Sequence, residues 1–164
     1  FGAGHVGQAL VSILAGCDAR IDWIDSRQDM FPALLPANAA VHVSQNPVEM
    51  ASLLTRDQIA VIVTHDHQLD YQLVRTLLDE TEVPYIGLIG SKTKAERFRT
   101  RLVKDNLPQG EWDRCHCPVG LASITGKLPM EVAVSIAAEI LALAPAAARS
   151  SVSWKAIKKV LREP

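Results

Sequence analysis

Phe1-Gly2-Ala3-Gly4-His5-Val6-Gly7 opens the chain and sets three glycines at G-x-G-x-x-G spacing. Such a turn holds phosphate. The first glycine permits a tight bend, the second lets backbone approach a pyrophosphate, and the third packs the following helix against a strand. The residues that follow supply the context the pattern needs. His5 to Ala15 reads as an amphipathic helix, with Val6, Ala9, Leu10, Ile13 and Leu14 on one face. Its positive end points at the turn, and Gly16 stands where a helix-ending glycine belongs. A hydrophobic strand is expected before the turn. Only Phe1 represents it, so the sequence reads as cut at the end of a central first strand.

The rest of the chain alternates strand and helix. Ala19–Ile24, Val41–Val43, Ile59–Val63 and Pro84–Ile89 read as strands, and Asp113–Val119 as a final one. The continuous β-branched run Ile59-Ala60-Val61-Ile62-Val63 fits a strand buried on both faces. Helices are expected over Pro47–Leu54, over Leu69–Asp79, after a capping box at Thr93-Lys94-Ala95-Glu96, and from Pro129 to about Leu143. In the last of these, Glu131, Ser135 and Glu139 recur every four residues and read as one narrow solvent stripe. The expected architecture is α/β: a doubly wound, Rossmann-like, mostly parallel sheet lacking its first strand by truncation. The domain is expected to cover 1–144, with a tail and short helix over 145–164.

Composition narrows the function. Of 164 residues, 48% are hydrophobic and 21% charged, enough apolar material for one domain with a core. A net charge of −1 disfavours binding of nucleic acid by a generally basic surface. The most apolar stretch, Val132–Ala144, is broken by Ser135 and Glu139, so no membrane span is expected. Three cysteines, an odd number, argue against a secreted disulfide scaffold and for a cytoplasmic setting.

Ligands of doubly wound sheets bind beyond the carboxyl ends of the strands, and each unusual polar cluster here follows a strand. Asp25 lies 18 residues after Gly7, where an acidic residue meets a ribose hydroxyl pair. Arg27 can neutralise a phosphate or pair with Asp29. In Thr64-His65-Asp66-His67 the histidines can shuttle protons or bond a polar heterocycle, while Asp66 or Asp70 can instead cap the next helix. After the next strand, Gly90 can bring backbone close to a ligand, Ser91 can cap the following helix, and Lys92 stands where it could meet an anion. Ser91 and Lys94 match S-x-x-K, read as coincidence because its partner motifs are missing. Cys115-His116-Cys117-Pro118-Val119-Gly120 closes the series. Its cysteines read by default as small buried hydrophobes, and Pro118 and Gly120 as a turn facing the site. No metal ligand set and no catalytic set are assigned.

These clusters, in this order, resemble the C-terminal Rossmann domain of the xanthine dehydrogenase accessory protein family (XdhC/CoxI type). The likeness runs through Phe1–Gly7, Asp25-Ser26-Arg27, Thr64–His67 with Asp70-Tyr71, Tyr85–Lys92, Cys117–Leu121 and Lys127–Ile140. It covers nearly everything from Phe1 to Leu143. It implies a chaperone that binds the molybdenum cofactor, as molybdopterin or its dinucleotide form, and delivers it to an apo molybdenum hydroxylase of the xanthine dehydrogenase type. A cysteine desulfurase joins the expected partners where sulfuration accompanies delivery, and a homodimer is among the expected states. Under this reading Gly2, Gly4, His5 and Gly7 hold phosphate, with Asp25 and Arg27 at a sugar or other polar group. His65, Asp66, His67, Gly90, Ser91, Lys92, Pro118 and Gly120 line the rest of the site.

An NAD(P)-dependent oxidoreductase is the alternative. The first half of the chain supports it equally, and His65, His67 and Lys92 could serve as proton donors or acceptors. The Y-x-x-x-K pair of short-chain dehydrogenases is missing: Arg75 follows Tyr71 and Ile89 follows Tyr85 at that spacing.

Overall fold

The computed structural model describes residues 1–143; the expected tail over 145–164 lies outside them. Five α-helices and five strands follow one another, alternating except at β1 and β2: α1 (His5–Leu14), β1 (Ile21–Asp25), β2 (Ala39–Val43), α2 (Pro47–Ser52), β3 (Ile59–Ile62), α3 (His67–Glu80), β4 (Tyr85–Leu88), α4 (Lys92–Lys104), β5 (Cys115–His116) and α5 (Pro129–Leu143). Every strand pair is parallel. β1 pairs with β2, and β3, β4 and β5 form a second ladder in that order.

Phe1 and Gly2 stitch the two ladders together. The Phe1 amine donates to Val61 O at 2.7 Å, Val63 N donates to Phe1 O at 2.9 Å, and Gly2 N donates to Ile24 O at 2.9 Å. Phe1 therefore sits between β3 and β1, at the centre of a doubly wound parallel arrangement.

Alternation along β3 divides the core. Ala60 and Ile62 face α2, α3 and α4, and pack with Leu73, Leu77 and Leu102. Val61 and Val63 face α1 and α5, and pack with Leu10, Leu14 and Ile136. Packing on both faces explains the unbroken apolar run.

Three expectations change. α4 begins at Lys92 with Ser91 as its cap, the Ser91 hydroxyl accepting from Lys94 N at 3.2 Å, so Thr93 lies inside the helix and caps nothing. The last strand shrinks to Cys115–His116, because 111–114 turn as a 3-10 helix. The stripe on α5 does not face solvent. Ser135 is buried and donates to Leu121 O at 3.1 Å, while Glu139 accepts from Tyr85 Oη at 2.7 Å and from Gly120 N. Of the three, only Glu131 is exposed.

Candidate functional site

The glycine turn is built from the β1 side. Gly2 adopts φ +110°, and a Cβ there would lie 2.7 Å from Val63 O. A Cβ on Gly7 would collide with Gly2 O. Both positions exclude any side chain for reasons internal to the fold. Gly4 differs: its backbone is ordinary (φ −71°, ψ −176°), and a Cβ there would meet nothing within 4 Å. The space over Gly4 is open, and Gly4, the N-cap of α1, offers no side-chain cap. The first amides of α1 have no intrahelical partner by construction, so they present donors and the positive helix end to that space.

Other side chains fix the turn. Trp23 Nε1 donates to Gly2 O at 3.0 Å, and Gln8 Nε2 donates to Ala3 O and Met30 O at 3.1 and 2.7 Å. Asp25 accepts from Ala3 N (2.7 Å), Arg27 N (2.9 Å), Arg27 Nε (3.0 Å) and Arg27 Nη2 (2.8 Å). A carboxylate has about four lone-pair sites, and all four of these are taken. Burial alone would raise the Asp25 pKa. The bonds from Arg27 and Ala3 and the guanidinium charge outweigh it and hold the group well below the ordinary carboxylate range. Asp25 thus anchors the turn and has no acceptor left for a ribose. Arg27 pairs with Asp25 at 2.8 Å, a partner that neither reading of Arg27, phosphate or Asp29, had named.

A cleft of about 230 Å³ opens beside the turn, lined among others by Gly2, Asp25, Arg27, Thr64, His65 and Asp66. Ligand pockets run to roughly 300–1,000 Å³, so it suits one part of a cofactor. Asp66 takes the capping role left open in the sequence, accepting from Gln68 N and Leu69 N, and these backbone bonds lower its pKa. His65 is exposed in the cleft wall. His67 opens α3 and His5 opens α1; both are exposed and neither lines the cleft.

The remaining expected residues lie further along the rim. Gly90, Ser91 and Lys92 are exposed and outside the cleft lining. Pro118, which follows a cis peptide bond, and Gly120 are also outside it. Gly120, with φ +110°, serves α5: a Cβ there would lie 2.5 Å from Ser135 Oγ, and its amide is held by Glu139. Cys115 is buried, which pushes its thiol up to about 12, and burial also raises the half-buried Cys117. Both fit the small-hydrophobe reading. Among the described residues no group of His, Cys, Asp and Glu could hold a metal ion, and no helix is long and apolar enough to cross a membrane.

One cluster has no local signature in the sequence. Asp70, 1% exposed, receives Lys94 Nζ at 2.5 Å and Thr64 Oγ1 at 2.6 Å. Lys94 Nζ also donates to Ile89 O at 2.8 Å, and its stem lies over Gly90, where a Cβ would sit 2.6 Å from Lys94 Cδ. This buried pair ties the Thr64 wall of the cleft to the loop after β4. The S-x-x-K match was the nearest signal, and it pointed to other chemistry.

A parallel, doubly wound sheet with a glycine turn at its carboxyl rim defines a Rossmann domain. Comparison makes the class particular. The family model described as the XdhC Rossmann domain matches residues 1–140, and the chain belongs to that family. It is 29% identical over 143 residues to the Escherichia coli (strain K12) protein YqeB, covering 85% of this chain and 26% of that protein. It is likewise 29% identical over 143 residues to a Bacillus subtilis (strain 168) protein named as a probable xanthine dehydrogenase subunit, covering 86% of this chain and 41% of that protein. A crystal structure of a protein described as a xanthine dehydrogenase from Bacillus halodurans superposes with a TM-score of 0.71 at 28% identity, covering 86% of this chain and 40% of that one. The chain thus spans well under half of each relative's length.

Proposed function

We propose that this domain binds the molybdenum cofactor, as molybdopterin or its dinucleotide, and serves its delivery to an apo molybdenum hydroxylase of the xanthine dehydrogenase type. The observation that carries the reading is the open space over Gly4, faced by the uncapped end of α1, in a chain of the XdhC family. An anionic phosphate or pyrophosphate suits those amides. The cofactor itself supplies the redox metal; these residues bind and orient it. The first amides of α1 would hold phosphate, and the cleft that Gly2 lines with Ser26, Arg27, Thr64 and His65 would take the adjoining group; Gly4 and Gly7 lie outside its lining.

The oxidoreductase alternative asks for a free acidic acceptor at the ribose. Asp25 is spent on Arg27 and Ala3, which weighs against it and equally removes Asp25 from the sugar of a dinucleotide cofactor. Mass spectrometry of small molecules copurifying from cells that make the cofactor tests the reading. A pterin near one equivalent is expected, with weak NADH binding and no turnover of hydroxy or carbonyl substrates. Tight NADH binding with turnover and no pterin would overturn it.

A further inference from the structure

We propose that the outer face of α4 is a docking surface for an acidic surface on a partner protein, independent of what the cleft holds. Residues 92–104 carry six Lys and Arg against a single Glu, while the remainder of the chain carries eleven against seventeen Asp and Glu. Five of those eleven lie in 145–164, so among the described residues outside α4 six Lys and Arg stand against sixteen Asp and Glu, and positive charge there is concentrated on this helix. Two of the six cations are engaged: Lys94 with Asp70, and Arg101 with Asp105 at 3.9 Å. Lys92, Arg97, Arg99 and Lys104 are exposed and have no ion pair among the described residues. Arg101 is held in place, its guanidinium 3.8 Å from the Tyr71 ring centre, while Tyr71 Oη donates to Asp105 at 2.6 Å. A fixed guanidinium loses little freedom on meeting a carboxylate.

The face has the make-up of a protein contact. A shallow groove runs along it, lined by Thr93, Glu96, Arg97, Thr100, Arg101 and Lys104, and Val103 is 67% exposed among the cations. Arginine is enriched in protein interfaces. Size argues for a protein over other anions. The helix is about 20 Å long. A nucleic acid duplex or an anionic bilayer extends beyond it and meets the acidic remainder, whereas a folded partner can present a carboxylate patch of matching size.

The test uses the ¹⁵N-labelled full chain and four probes: a helical glutamate-rich peptide, a DNA duplex of equal charge, phosphatidylglycerol vesicles, and the chain itself in sedimentation. The peptide should move the amides of residues 92–104 and leave those around Gly4 unmoved. R97E/R99E/K104E should weaken it roughly tenfold or more with an unchanged melting temperature, and about 0.5 M salt should do the same to the wild type. R97Q/R99Q/K104Q, which carries no reversed charge, should give a smaller loss and serves if the first variant folds poorly. Peptide shifts scattered over the surface, tighter binding of DNA or vesicles to α4, or salt-sensitive self-association through α4 would each overturn the proposal.

Discussion

Lys94→Met should destabilise the domain by about 3–5 kcal/mol, the cost of leaving a buried carboxylate without its cation. Asp70 is 1% exposed, and without Lys94 its Oδ2 loses its ammonium donor, only Oδ1 retaining the Thr64 hydroxyl. Asp70→Asn should cost a similar amount, since it strands an ammonium whose side chain is 11% exposed. The double variant Asp70→Asn, Lys94→Met removes both charges and should recover most of the loss. Urea unfolding of the four proteins measures the coupling directly. Single variants within about 1 kcal/mol of wild type, or a double variant that loses the sum of the singles, would contradict a coupled buried pair.

The glycine turn gives the second large effect, and its two halves separate folding from binding. Gly7→Ala drives a Cβ into Gly2 O, a backbone atom held in place by the Trp23 indole. The expected loss is about 3 kcal/mol, which for a domain of this size lowers the melting temperature by roughly 6–12 °C. Gly4→Val places its Cβ in open space and should cost only about 1 kcal/mol, the penalty of a poorer N-cap. It does fill the space a phosphate needs. A clash of about 1–3 kcal/mol weakens pterin binding by roughly 5- to 150-fold. Thermal melts and ligand titration of the two variants check this. A Gly4→Val protein that binds pterin as tightly as wild type would remove the turn from the site.

What the sequence disclosed and what it hid follow the range of the forces involved. The turn, the helix after it and the doubly wound order depend on spacing within a few residues, and Gly2, Gly7 and Ile59–Val63 carry those signals locally. Asp66 as a cap is equally local. Asp25 stood at the expected place with a different job: its distance from Gly7 was legible, but the arrival of Arg27 and Ala3 N on the same carboxylate was not. The Asp70–Lys94 contact joins residues 24 apart on different helices, which no periodicity reports. It also explains the start of α4. With the helix under way from Lys92, the Lys94 stem crosses Gly90 and reaches Asp70. The α5 stripe was misread for the same reason. Four-residue spacing of Glu131, Ser135 and Glu139 marks a face, but the 118–121 loop and Tyr85, which cover most of it, arrive from far along the chain.

The central claim is that amides at the start of α1 grip the anionic end of a pterin cofactor. Backbone ¹⁵N spectra of the labelled domain, recorded as molybdopterin is titrated in, test it most directly. The expected result is that Gly4, His5, Val6 and Thr64 move together and saturate at one equivalent, while residues of α4 and α5 stay in place. Saturable binding that leaves the Gly4–Val6 amides unmoved would contradict it.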